Sequence, residues 1–524
     1  MMVEIKLDIK YVDDLTVIKD QSNENDNKTN ETNEKNVLHS NTCLTGKFYF
    51  NHHTGKVLSN TNLLNNTKNL IEYDKVNHIN ISIKNISYKA ADTLVLLPKN
   101  ANHLTTWWLK RLNINEVEKN KKFIFVKKKK GSTKLSHTQS CDTNMHGGNL
   151  SSNGNHSYGE NFMQNENINQ DIYPTINDHN SISVPFPTPC SVKHALDYYC
   201  DLSTMPKVNV LKKFKCFIKD KEELKMFNYI LSSNKRNTLF NICKECNMTL
   251  IEFIDIFMPK AVFELAPFLQ IISKNCPKSY TISSSPKESN NIISITVKKK
   301  QYPLHSLRRA LKSFKNNDML PKINEHTLRE LCKRRWFKGT CSFYLTEELN
   351  IHDTIKFNLK KSKFILPLKL ESADIIMIAT GTGIAPFKAF LTEFEFFDKM
   401  YQQNGNVKKK AKRVLFFGCR KKEIDFLYEK EIMEAQQNKY IDEAYFAFSR
   451  EQEQKIYVQD LIHEKRELVL NLIQNGAYVY VCGNKNMSKD VSKTIDNLSP
   501  NQKQNNQKIT KMLKKSQRYI EEVW

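Results

Sequence analysis

Four short apolar runs in the last third of the chain set its pattern. Residues 375–379, 414–418, 444–448 and 478–482 are continuously apolar or aromatic, and a stretch of helical periodicity follows each one. Runs this short and this continuous predict strands buried on both faces, and their alternation with helices predicts a doubly wound parallel sheet. Upstream the pattern differs. Residues 79–87 and 93–98 read as strands of an antiparallel sheet, a helix is predicted over 103–112, and residues 191–272 are helical in period, with breaks at Pro206, 232–234 and Pro259. Strands are predicted again at 279–284, 292–297, 354–359 and 364–366, with a helix near 338–345. Looser strand patterns occupy residues 3–18 and 47–50. The order is β, α, β, then alternating β and α.

Two stretches carry no such pattern. Residues 20–36 are almost free of apolar groups, and residues 127–184 are rich in Asn, Ser and Gly. Neither can bury enough surface to offset the entropy of ordering, so both are expected to be disordered.

Composition narrows the function classes. With 524 residues and 40% hydrophobic content, the chain can form more than one core. No apolar run approaches the roughly 20 residues a membrane helix needs, and the first residues lack the apolar core of a signal peptide. A soluble, cytoplasmic protein is expected, its 12 cysteines reduced. Cys243 and Cys246 form a CxxC without a second pair or histidine at ligand spacing, so a buried helix face and no metal are expected. The net charge of +24 is mostly diffuse lysine, in runs such as 127–130, 298–300 and 408–410. These runs have no interleaved aromatics to stack bases, so nucleic acid is not expected, whereas an acidic protein partner suits the charge.

Candidate chemistry gathers at the predicted strand ends, where open α/β sheets bind ligands. Gly381 and Gly383, in TGTG after the first run, would turn the chain tightly and turn bare N–H groups toward a phosphate at a helix start; a plain strand-to-helix turn fits the same residues. Arg420 follows the second run. Ser449, Arg450 and Lys455 follow the third, with Tyr457 beyond. A hydroxyl and two cations suit a ribose 2′-phosphate, which favours NADPH over NADH. Cys482 ends the fourth run. Earlier, Lys278, Tyr280 and Thr281 put a cation, an aromatic ring and a hydroxyl on one strand.

The collinear order SYTISSSP, KGTCSFYL, TGTGIAPF, FFGCR, FSREQEQKIYVQ, YVCGN and terminal EEVW resembles the FAD- and NADPH-binding half of the diflavin reductases. That family includes cytochrome P450 reductase and the cytosolic reductase of iron–sulfur cluster assembly, the latter most similar in FSREQEQKIYVQ. The resemblance implies a ferredoxin–NADP reductase-like fold. Residues 47–370 would form an antiparallel FAD-binding barrel, with an inserted helical subdomain at about 100–275 that contains the 127–184 insertion; residues 371–524 would form the NADP-binding domain, and 1–46 a separate N-terminal segment. It further implies that Lys278, Tyr280, Thr281 and Ser283 hold FAD, with Gly339, Thr340, Cys341 and Ser342 at its pyrophosphate. Gly381, Thr382, Gly383, Arg420, Ser449, Arg450, Lys455 and Tyr457 would hold NADPH. Thr281, Cys482 and Glu522 would surround hydride transfer, and Trp524 would cover the flavin.

Three positions depart from the family in kind: Lys278 stands where arginine is common, Thr281 where serine is usual, and Glu522 where aspartate is usual. The segment before residue 48 is too short and polar to supply the flavodoxin-like FMN domain of the family. FMN is therefore expected only from a missing segment or from a flavodoxin-like partner, with an iron–sulfur or haem protein as the other class of acceptor. A single-flavin enzyme like ferredoxin–NADP reductase, and a non-catalytic scaffold that keeps the fold, are the competing readings.

Overall fold

The computed structural model describes residues 6–12, 53–65, 74–128, 184–232, 239–304, 335–404, 411–498 and 508–524. The polar stretch 20–36, the short pattern at 47–50, the lysines at 408–410 and all but the ends of the 127–184 insertion lie outside those residues.

Strands β1 (Leu7–Tyr11), β2 (His53–Asn62), β3 (Val76–Ser82) and β4 (Thr93–Leu96) come first, and β5 (Lys122–Lys127) and β6 (Cys190–Ser191) flank the insertion. After a run of short helices come β7 (Lys278–Thr281), β8 (Ile292–Lys298), β9 (Gln301–Leu304), β10 (Arg335–Lys338) and β11 (Thr354–Lys360). Six of them form an antiparallel sheet in the order β7-β4-β11-β2-β3-β8. An Ile282–Ile295 bridge joins the two edge strands, and the Ser283 N–H donates to the Ser294 carbonyl at 2.8 Å, so the sheet closes into a barrel.

The helices between β6 and β7 enclose a core of Trp108, Phe214, Phe253 and Phe268. Their local signals are ordinary ones: Thr249 and Glu252 form a capping box ahead of Leu250–Phe257, whose apolar residues face inward. β1 pairs antiparallel with β5, and Leu7 is buried in this same core. The first described strand is thus part of the helical subdomain's packing.

The C-terminal sheet runs β14-β13-β12-β15-β16, all parallel, with β12 (Ile375–Thr380), β13 (Arg413–Cys419), β14 (Glu443–Phe448), β15 (Tyr478–Gly483) and β16 (Tyr519–Val523). Successive residues serve opposite faces, as a pleated strand requires. Ile375, Met377 and Ala379 join one core with Phe387, Phe390 and Phe394, while Ile376 and Ile378 join another with Val458, Val469 and Val491. Chain order proceeds β12, β13, β14 in one direction and returns to β15 on the other side of β12. The ligand crevice of such a sheet opens at that switch, between the carboxyl ends of β12 and β15.

Two expectations need correction. Residues 364–366 form no strand: Phe364 turns into the core against Phe387 and Tyr480, and the Ile365 carbonyl accepts from the Tyr480 hydroxyl at 2.6 Å instead of from a ladder neighbour. The helix expected near 338–345 begins at Thr340, because Lys338 still belongs to β10.

Polar groups join the two domains. Tyr428, in the left-handed region at φ 59°, puts its hydroxyl 2.8 Å from His78 Nδ1 on β3 and 2.6 Å from Thr296 Oγ1 on β8. The Lys388–Glu288 ion pair at 2.8 Å lies beside them. Burial, and then the Lys388 charge, lower the His78 pKa to about 4. A depressed folded value means that His78 contributes stability above its unfolded pKa of about 6.5, and that this is lost as pH falls through about 4, by about 3 kcal/mol at most. Urea midpoints of His78→Gln should therefore decline less than wild type between those pH values.

Candidate functional site

Three side chains implied to act together come from three strands. Thr281 ends β7, Cys482 lies near the end of β15, and Glu522 is its register partner on β16. Thr281 is close enough to favour the charged form of the Glu522 carboxyl group, while the charge of Glu522 acts on the Cys482 thiol. Burial raises the Glu522 pKa, and Thr281 and then the Lys360 ammonium pull it back. Burial also pushes the fully enclosed Cys482 thiol well up, helped by Glu522. The result is a neutral thiol beside a carboxyl group whose Oε2 is buried without a hydrogen bond. Such an orphaned acceptor suits a ligand that brings a donor or a positive charge.

The barrel side gathers a second group. Tyr280 is half-buried beside Cys341, and Lys278 is close enough for its charge to act on that thiol. Burial pushes the Cys341 thiol up to about 12, so it serves as a neutral partner for Tyr280. Gly339 precedes the helical turn, its N–H donating to the Lys300 carbonyl at 2.7 Å. Ser342 Oγ is engaged locally by the Lys300 N–H at 3.1 Å, and Thr340 Oγ1 lies 3.1 Å from Ser203 Oγ of the helical subdomain. Lys278, Tyr280 and Cys341 are thus brought together. Ser283 is not among them: its side chain is fully buried and its hydroxyl makes no hydrogen bond among the described residues.

At the crevice the backbone sets the shape. Gly381 takes φ +53°, where an L side chain would be strained, and a Cβ on Gly383 would lie 2.2 Å from the Cys482 carbonyl. The loop can therefore lie directly on the end of β15. A 3₁₀ turn over Gly381–Ile384 leads straight into the helix Ala385–Gln403, and no side chain caps the start of that turn, so its N–H groups beside Thr382 are the ones left for a ligand. The neighbouring loops are laced together: the Ser449 N–H donates to the Cys419 carbonyl at 3.0 Å and the Arg450 N–H to the Arg420 carbonyl at 2.9 Å. Arg450, Lys455 and Tyr457 are exposed, and among the described residues neither of the two cations makes an ion pair. Arg420 is different. It bridges Asp425 at 2.9 Å and Asp74 at 2.5 Å, so it ties the barrel to this loop instead of reaching freely into the crevice.

Trp524 is 56% exposed, its N–H donating to the Gly483 carbonyl at 3.2 Å, one residue beyond the paired edge that carries Glu522. Lys360, Ser203, Asp74 and Tyr428 were not foreseen. Each acts on a residue remote in sequence, and no local pattern signals such a contact.

Comparison with known proteins agrees with this geometry. Residues 50–308 match the family model described as FAD binding domain, and residues 377–493 match oxidoreductase NAD-binding domain. The chain thus pairs an FAD binding domain with an oxidoreductase NAD-binding domain, and it is similar to NADPH–cytochrome P450 reductases. It is 27% identical to the NADPH–cytochrome P450 reductase of Dictyostelium discoideum over 342 residues, 64% of this chain and 46% of that protein. The human enzyme of the same name is 28% identical over 59% of this chain and 42% of its own, and that of Musca domestica 31% over 65% and 47%. The matched region thus spans less than half the length of these relatives. Among its described residues no helix is long and apolar enough to cross a membrane.

Proposed function

We propose that this diflavin-reductase half transfers hydride from NADPH to FAD and then passes electrons singly to a protein acceptor in the cytoplasm. The acceptor is an FMN-containing domain or flavodoxin-like protein, or else an iron–sulfur or haem protein. The observation that carries the reading is the meeting of Thr281, Cys482 and Glu522 at the switch point, contributed by both domains. In this reading residues 47–370 are the FAD-binding unit, with the helical insertion at about 100–275, and residues 371–524 bind NADPH.

FAD, when bound, supplies an acceptor for two electrons that can release them one at a time. The chain's own work is placement and charge. Tyr280 offers its ring face to the flavin, and Lys278 with the turn at Gly339–Ser342 offers positive charge and N–H groups to the pyrophosphate. With the nicotinamide bound, the Glu522 carboxylate would favour positive charge on its ring, Cys482 and Thr281 would fix its position, and Trp524 would cover the flavin face in its absence. Arg450 and Lys455 hold the 2′-phosphate.

A charge-assisted contact of that kind contributes about 1.5–3 kcal/mol. Arg450→Ala and Lys455→Ala should each raise KM for NADPH by roughly ten- to a hundredfold and leave KM for NADH unchanged. Steady-state kinetics with both nucleotides checks this. The overall reading is tested by NADPH oxidation by the purified, FAD-loaded chain. Fast ferricyanide reduction with little cytochrome c reduction is expected; reduction of neither would overturn it.

A further inference from the structure

The loop joining β11 to β12 carries an unusual surface. Leu368 is 102% exposed and Ile365 is 59% exposed, and Leu368 is the most exposed large apolar side chain among the described residues. Around them Lys360, Lys361, Lys363 and Lys369 all lie open to solvent. Slack in the chain does not explain this exposure. Phe364 and Leu370 on the same loop are buried in the core of the parallel-sheet domain, the Ser362 N–H donates to Asp92 Oδ1 at 3.1 Å, and the Ile365 carbonyl is held by Tyr480. Two apolar side chains are thus exposed on an anchored loop that also carries four exposed lysines. An apolar centre with a polar rim is the anatomy of a protein interface, and exposing it costs hydration free energy that a partner would recover.

The position of the loop selects the partner. Lys360, at its start, is the register partner of Thr93 on β4, which in turn pairs with Thr281 on β7, so the surface borders the candidate hydride site. An electron acceptor has to approach that site closely. We infer that Ile365, Leu368 and the four lysines dock the electron-accepting protein, a small acidic domain with an apolar contact at its centre. The inference rests on the reductase reading above. In the balanced reaction one NADPH and one proton from solvent reduce two oxidised flavodoxins, each of which takes up one electron and one proton, and NADP⁺ is released. The lysine charges steer the encounter, and the apolar pair sets how long it lasts.

The probe is a recombinant FMN-loaded flavodoxin, an acidic single-domain protein, added to the FAD-loaded full chain. Leu368→Asp should lower the second-order rate of flavodoxin reduction at least tenfold. The double variant Lys361→Glu/Lys363→Glu should lower it similarly at low salt, and its deficit should shrink as ionic strength rises. Both variants should reduce ferricyanide at the wild-type rate, which shows that they fold and transfer hydride. Flavodoxin rates unchanged in both would overturn the inference, as would a wild type that reduces ferricyanide but not flavodoxin. Unchanged flavodoxin rates together with lost binding of Leu368→Asp to phosphatidylserine vesicles would overturn it in favour of a lipid surface. The same rates with loss of a wild-type dimer would overturn it in favour of a second copy. A wild type unable to reduce ferricyanide would instead bring down the reductase reading itself.

Discussion

Cys482→Ala is expected to cut kcat for NADPH-driven ferricyanide reduction by about a hundredfold, with KM for NADPH within a few-fold of wild type. Glu522→Gln should do about the same. Preorganised polar groups aimed at developing charge are each worth roughly 10²–10³ in rate. Here the thiol and the carboxyl group are register partners on adjacent strands, so they act as one unit. The double variant should fall little further than the worse single one, as linked groups are non-additive. Stopped-flow reduction with deuterated NADPH should show a larger isotope effect in each variant, since hydride transfer becomes fully rate-limiting.

Stability separates this role from a structural one. Burial raises the Glu522 pKa, so folding favours its protonated form, and the stability it contributes at low pH is lost as pH rises through the folded value. At neutral pH Glu522→Gln should therefore unfold no earlier than wild type while losing activity. A variant that lost both together would contradict the role assigned to this carboxyl group.

The largest stability effect is expected at Arg413. Its side chain is fully buried at the start of β13, forked onto Asp398 at 2.8 and 2.9 Å, and it lies 4.2 Å from the centre of the Phe394 ring. Its Nη1 also donates to the Tyr440 carbonyl at 3.1 Å. Taking away one member of a buried pair leaves a charge that water cannot reach, at a cost of about 3–5 kcal/mol. Asp398→Ala should lower the urea midpoint accordingly. The double replacement Arg413→Met/Asp398→Leu should recover most of it, since apolar pairs of similar volume often match buried ion pairs.

How much of this was legible depended on whether a residue's job shows in its polarity. β12, β13 and β15 are buried on both faces and were plain as apolar runs, and the helices of 191–272 declared themselves by period. β2 did not, because HTGKVLSNTN is mostly polar and half-exposed and its structural bonds are made by side chains: Asn60 Nδ2 donates to the Leu345 and Leu349 carbonyls at 2.9 and 3.1 Å, and its Oδ1 accepts from Asn77. β16 (YIEEV) was hidden for the same reason, since its glutamates serve Cys482 and Ser488. Residues 364–366 misled in the opposite sense, with apolar groups on a loop. At the site, motif order alone points to Thr281, Cys482 and Glu522. Sequence order could not reveal that Asp74 had already claimed Arg420, a contact made across the chain.

The polar contacts that fasten the barrel to the parallel-sheet domain bear on chemistry that neither domain performs alone. Tyr428 between His78 and Thr296, Lys388 on Glu288, and Arg420 on Asp74 and Asp425 are directional bonds, which hold one alignment and resist sliding. Greasy packing would tolerate a continuum of small offsets; dowels do not. If the donor ring is seated on one domain and the acceptor on the other, the gap the hydride crosses is machined at this seam, and reacting atoms must meet within about 3–3.5 Å. The seam is thus a tolerance built into the enzyme, and wear there would slow the reaction with both cofactors still firmly held.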